Sequence, residues 1–164
     1  MVLDATTAWP VLKPVITPQD FETFRSLLLE YADKDLADAV NSTIWKDLAS
    51  LPERYGPPAG AVLLACVGDA LAGCGALTAS QQPGVAEIKR IYVRPAFRRR
   101  GLARALTTQL VAHARTLDYR TAGISTWPEN TQALALYRKL GFEPIPPFKT
   151  HTHAQLVFLG LALD

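Results

Sequence analysis

A chain of 164 residues, 49% hydrophobic and 20% charged, is long enough to bury a core without disulfides or metal, and its composition excludes a disordered or fibrous protein. A formal net charge of +2 excludes a surface built for wholesale nucleic-acid binding, although a local cluster of arginines can still act. The apolar runs are too short and interrupted to span a bilayer, and the amino terminus MVLDATTAWP shows neither a basic leader nor a long apolar stretch, so the expected setting is the reducing cytoplasm.

In chain order, residues 11–16 predict a short strand, closed by Thr17 and Pro18. Thr17 is placed to cap a helix whose first turn holds Pro18 and Asp20. Phe21, Phe24, Leu27, Leu28 and Tyr31 follow at helical spacing. Residues 33–51, with Leu36, Val40, Ile44, Trp45, Leu48 and Leu51 at similar intervals, predict a second helix broken near Asn41 and ended by Pro52. Residues 61–67 and 70–77 predict a hairpin turning at Gly68 and Asp69. That register sets Cys66 opposite Leu71 and turns Cys74 to the other face, which argues against a disulfide. Gly73 and Gly75 lie inside the second strand, not at a strand-to-helix turn, so close backbone packing or a bulge explains them better than a dinucleotide fingerprint.

Residues 85–93 predict the next strand, with an irregularity. Ile88 and Ile91 are an odd number of residues apart, as are Lys89 and Tyr92, so alternation fails and the strand is buried on both faces, bulged, or both. From Gly101, the apolar positions Leu102, Leu106, Leu110, Ala114 and Leu117 predict an amphipathic helix. Residues 120–127 predict a strand ended by Pro128. Asn130 precedes a helix carrying Ala133, Leu136, Tyr137 and Leu140, closed by Gly141 where left-handed backbone is needed. Residues 142–145 predict a short strand and 155–161 a last one. This order describes one α/β domain over residues 1–164, a mixed sheet with helices on its faces.

The chemistry concentrates in EIKRIYVRPAFRRRGLA, residues 87–103. Three arginines and a glycine precede a helix, and a helix start offers unpaired amides and the positive dipole end, which together make an anion site. The dipole contributes only about 0.3–1 kcal/mol, whereas hydrogen bonds to a charged group contribute roughly 1.5–3 each, so several amides with an arginine are needed to hold a pyrophosphate. Composition alone serves a solvated basic turn equally well.

The run VRPAFRRRGLARAL resembles the acyl-CoA-binding motif of the GNAT superfamily of acyltransferases, in which a Gln or Arg is followed three residues later by Gly and two after that by Gly or Ala. Those positions here are Arg98, Gly101 and Ala103. A second block, NTQALALYRKLGFEPIPPF, is similar to the family's later motif at Asn130, Ala133, Tyr137, Gly141 and Phe142. The resemblance runs from about residue 87 to 148 and is weak before residue 61. It implies a mostly antiparallel sheet splayed between the fourth and fifth strands, with acetyl-CoA in the gap. The pantetheine would pair with the backbone of Ile91, Tyr92 and Val93, and the pyrophosphate would be held between Arg98, Arg99, Arg100, Gly101, Leu102 and Ala103. Asn130 would contact the cofactor, cap its helix, or do both.

The same resemblance makes Tyr137 the candidate acid for the departing thiolate and Glu87 the candidate base, acting on an amine by direct transfer in a ternary complex. Backbone N–H groups near the strand irregularity would stabilise the oxyanion. Reference pKa values of about 10 for Tyr and about 8.5 for a thiol make the first transfer mildly uphill, whereas a Glu near 4.3 facing an ammonium near 10.4 falls about six units short. The structural alternatives are a packed core aromatic for Tyr137 and pairing with Lys89 or Arg90, or exposure, for Glu87. Trp127 is placed to line the acceptor pocket, or simply to pack. His151 and His153 would share a strand face, but without a Cys or carboxylate nearby no metal site is expected. The expected function is therefore acetyl transfer from acetyl-CoA to a primary amine of a small molecule or peptide; the alternative is a non-catalytic acyl-CoA-binding or sensor module. Neither nucleic acid nor membrane is an expected partner, monomer and homodimer are both open, and Phe148, where relatives often carry Tyr, leaves the acceptor unassigned.

Overall fold

The computed structural model describes residues 9–34, 42–150 and 155–164. These form strand β1 (Pro10–Pro14), helices α1 (Pro18–Lys34), α2 (Ile44–Ala49) and α3 (Leu51–Tyr55), strands β2 (Ala61–Val67), β3 (Ala70–Ala79) and β4 (Val85–Val93), helix α4 (Leu102–Thr116), strand β5 (Thr121–Thr126), helix α5 (Thr131–Lys139), and strands β6 (Glu143–Pro144) and β7 (Val157–Ala162). The seven strands make one sheet in the order β1-β2-β3-β4-β5-β7-β6. Only β4 and β5 run parallel, as α4 crosses between them; every other pair is antiparallel.

Alternation along the central strands sends side chains to two cores. Leu63, Leu77 and Ile88 pack with Leu106 and Leu110 of α4. Leu64, Cys74 and Tyr92 pack with Phe24, Leu27, Ile44 and Tyr55 of α1 to α3. The two cysteines are free thiols: Cys66 pairs with Leu71 as expected, but Leu71 and Cys74 both pack on the α1 side, because the register shift at Ala65 and Cys66 breaks the alternation that was to turn Cys74 to the other face. At the start of α1, the Thr17 hydroxyl accepts from the Asp20 amide at 3.1 Å while the Asp20 carboxylate accepts from the Thr17 amide at 3.0 Å, a reciprocal cap.

Of the helix expected over 33–51, broken near Asn41, Asp33 and Lys34 are the end of α1, and the described residues from Ile44 onward form two short helices meeting at Ser50. Pro52 does not end a helix; it sits in the first turn of α3, where the missing N–H has no partner to lose. The expectations at Leu36, Val40 and Asn41, like those at His151 and His153, lie outside the described residues. The strand expected over 142–145 is only two residues long, Glu143 and Pro144, and Pro144 has no N–H to donate to the ladder.

The irregularity in β4 is a bulge. Lys89 pairs with Ala76 and Tyr92 with Cys74, so Arg90 and Ile91 together oppose the single residue Gly75. Arg90 takes φ 60°. A Cβ built on Gly75 would lie 2.7 Å from Ile91 Cδ1, so this glycine makes room for the side chain that the bulge redirects.

Candidate active site

The parallel ladder between β4 and β5 has three pairs, Val85 with Thr121, Ala86 with Ala122, and Glu87 with Gly123, and then stops. Beyond it β4 stays paired to β3 and β5 to β7. The two strands therefore diverge into a wedge, with β4 from Ile88 to Val93 on one wall and β5 from Ile124 to Thr126 on the other. The added twist of a bulged strand favours this separation.

At the wide end, β4 passes through a 3-10 turn (Pro95–Phe97) to α4. Arg99 has φ 65° and Gly101, the N-cap of α4, has φ 78°. Left-handed residues beside a helix start gather successive amides into a concave anion cradle. A Cβ at Gly101 would meet nothing within 4 Å, so the glycine answers to its backbone angle and not to crowding. Arg98 Nε donates to the Val93 carbonyl at 2.9 Å, tying the turn to the strand end. The Arg100 guanidinium lies 5.5 Å from the Phe97 ring centre. Leu102 is buried in the core, and the Ala103 carbonyl accepts from the Thr107 hydroxyl at 2.8 Å.

Across the wedge, Asn130 caps α5: its Oδ1 accepts from the Ala133 amide at 3.4 Å, and its Nδ2 donates to Thr126 Oγ1 at 3.3 Å. Gly141 closes that helix at φ 96°. Tyr137 is buried on α5, its ring 5.9 Å from that of Phe142. Burial pushes its hydroxyl up to about 12, with the charge of nearby Tyr31 adding to the effect. Tyr31, on α1, also lies 5.5 Å ring to ring from Tyr92 of β4.

The narrow end holds Glu87. It is 5% exposed, and its partners are Lys149 at 2.5 Å and Lys89 at 3.9 Å. Of the structural alternatives, exposure and pairing with Arg90 are thus both absent, and Lys149, 62 residues away, was not legible in the sequence. Its approach follows from packing. Phe148 is seated on Gly123, where a Cβ would lie 2.6 Å from Phe148 Cε1, and stands edge-on to Phe158 at 5.1 Å. Gly123 pairs with Glu87, so the residue after Phe148 arrives at the carboxylate. Lys89 is largely buried, and desolvation, opposed by Glu87, lowers its ammonium to about 8.

A second charged group went unread in the sequence. Asp47, fully buried on α2, accepts from Arg90 Nε at 2.8 Å and from the Tyr55 hydroxyl, and lies 2.5 Å from Arg54 Nε. The signal was available: Asp47 falls on the same helical face as Ile44, Leu48 and Leu51, and a charge on an apolar face needs a buried partner.

Comparison with known proteins agrees with this geometry. The acetyltransferase (GNAT) family model matches residues 21–142. An uncharacterized N-acetyltransferase of Schizosaccharomyces pombe is 30% identical over 155 residues, 93% of this chain and 94% of that one. A candidate acyl-CoA N-acyltransferase from Klebsiella pneumoniae is 26% identical, superposes with a TM-score of 0.72, and is covered in full by 98% of this chain. A Bacillus subtilis acetyltransferase solved in complex with CoA, 23% identical, shares the fold with a TM-score of 0.68 over 95% of this chain and 100% of its own. With a mixed sheet parted between β4 and β5 and a family match that spans both walls of the wedge, the chain belongs to the GNAT family of acetyltransferases.

Proposed function

We propose that this protein transfers the acetyl group of acetyl-CoA directly to an amine of a small molecule or peptide bound in the same wedge. The observation that carries the reading is the three-pair β4–β5 ladder opening toward the left-handed turn at Arg99 and Gly101. An extended chain ending in a pyrophosphate needs a strand edge to pair with and an anion cradle at its end, and these two features supply them in sequence. Residues Ile91 to Val93 would hold the chain by their backbone, and the amides from Arg99 to Ala103 would hold the phosphates, with the arginines alongside.

When bound, acetyl-CoA supplies an activated acyl carbon and a thiolate leaving group. Backbone N–H groups at the β4 bulge are the donors placed to stabilise negative charge developing on the acyl oxygen. Tyr137 supplies the hydrogen bond to the departing sulfur. Glu87 is the carboxylate facing the acceptor amine; already paired with Lys149 and Lys89, it orients the amine by charge and hydrogen bonding. Lys89, lowered to about 8, stands much closer to an amine in basicity than a carboxylate does. The reducing cytoplasm remains the setting consistent with two free cysteines.

The test is a panel of amino acids, polyamines, aminoglycosides, simple amines and peptides with acetyl-CoA, following release of free thiol. At least one acceptor class is expected to raise release above background hydrolysis. CoA binding without release for any acceptor would move the reading to an acyl-CoA sensor. Strongly salt-dependent DNA or RNA binding without CoA binding would refute both.

A further inference from the structure

The β4 bulge is held by more than the sheet requires. Arg90 sits at φ 60°, a conformation that disfavours any residue with a Cβ. A glycine would take it freely, yet the chain places here an arginine whose side chain is 7% exposed. Its Nε donates to Asp47 Oδ2 at 2.8 Å and its Nη2 to Thr43 Oγ1 at 3.0 Å. Its carbonyl accepts from the Cys74 thiol at 3.5 Å. Asp47 is in turn fixed by the Tyr55 hydroxyl and by Arg54, and Tyr55 is wedged edge-on against Phe24 at 5.9 Å. Both ends of residue 90, side chain and carbonyl, are therefore anchored, one of them to helices outside the sheet.

We propose that Arg90 and Asp47 are positioning residues: their buried ion pair locks the β4 bulge so that the backbone N–H of Ile91, which alternates away from the β3 ladder that Tyr92 joins, stays aimed into the wedge, which makes α2 part of the catalytic apparatus. The inference rests on the acetyl-transfer reading above. Misaimed oxyanion donors cost turnover far more than ground-state binding, since they act on charge that develops only in the reaction. A buried carboxylate with two arginines also explains why a charge sits on the apolar face of a six-residue helix.

The test compares Arg90→Ala with Arg90→Gly. Both delete the ion pair, but only glycine accepts the left-handed backbone without strain. Arg90→Ala is expected to lower kcat by about tenfold or more while KM for acetyl-CoA stays within about threefold; misaiming a donor costs less than the roughly 100- to 1,000-fold of losing one outright. Arg90→Gly, free of that strain, is expected to keep a higher Tm than Arg90→Ala, yet with the clamp gone its kcat stays about tenfold or more below wild type. Wild-type kcat in Arg90→Gly, or kcat that simply follows Tm across the two variants, overturns the inference. Asp47→Asn, which keeps the shape, is the second variant: a folded Asp47→Asn protein with wild-type kcat also overturns it. If the wild-type protein transfers no acetyl group at all, the functional reading has failed instead. Amide hydrogen exchange then tests the clamp alone, with faster exchange at Ile91 and Tyr92 but not along α4 expected for Asp47→Asn, and unchanged exchange refuting it.

Discussion

Tyr137→Phe gives the sharpest test of the chemistry. An unperturbed tyrosine lies about 1.5 units above a thiol, but burial holds the Tyr137 hydroxyl at about 12, so full proton transfer to a thiolate near 8.5 is uphill by about 3.5 units, or about 5 kcal/mol. The useful contribution is then a hydrogen bond to the sulfur as it gains charge, worth roughly 1.5–3 kcal/mol for a charged partner. Removing only the hydroxyl should lower kcat by about 10- to 100-fold and leave KM for acetyl-CoA nearly unchanged, because the bond strengthens after the ground state. Steady-state thiol release at saturating acceptor measures both constants. The phenylalanine ring still fills the space beside Phe142, so Tm should hold. A kcat within about twofold of wild type would remove Tyr137 from the mechanism. The pH dependence carries a second check. With the folded value raised to about 12, the unfolded chain releases this proton from about pH 10 while the folded one keeps it. Its contribution to stability is thus intact below pH 10 and is lost as pH rises toward 12, a slope that Tyr137→Phe should flatten.

Two further outcomes follow from the same geometry. Lys89 is lowered to about 8, so between pH 8 and its unfolded value near 10.4 the unfolded chain binds the extra proton and stability rises with pH. Lys89→Met, which leaves Lys149 on Glu87, should raise Tm at pH 7, by up to about 3 kcal/mol in stability; a lowered Tm would show that its pairing with Glu87 outweighs its desolvation. A Cβ at Gly101 has open space, but Gly101→Val is strained at φ 78°, at a cost of about 1–2 kcal/mol. Isothermal titration should show weaker CoA binding, and wild-type affinity would contradict the phosphate cradle at this turn.

The order of elements from β2 onward, the hairpin pairing of Cys66 with Leu71, the helix from Leu102, the caps at Asn130 and Gly141 and the disturbance in β4 were all legible in the sequence, because each is local. Turn chemistry, capping and the 2.0 or 3.6 period of apolar residues act over a few neighbours. The helix end expected at Pro52 failed on the same ground: Pro52 ends or begins a helix with equal local right, and the packing of Leu51 and Tyr55 decided that it begins one.

What only the tertiary structure decided are the pairings between residues far apart in the chain. Glu87 meets Lys149 because Phe148 is seated on Gly123, and Arg90 meets Asp47 because α2 packs over the bulge. A buried charge must find its partner in space, and periodicity along the chain carries no record of which one it will be. The sequence announced that β4 would break its alternation; the fold determined that the break would be an arginine held in a left-handed turn by a helix 43 residues away.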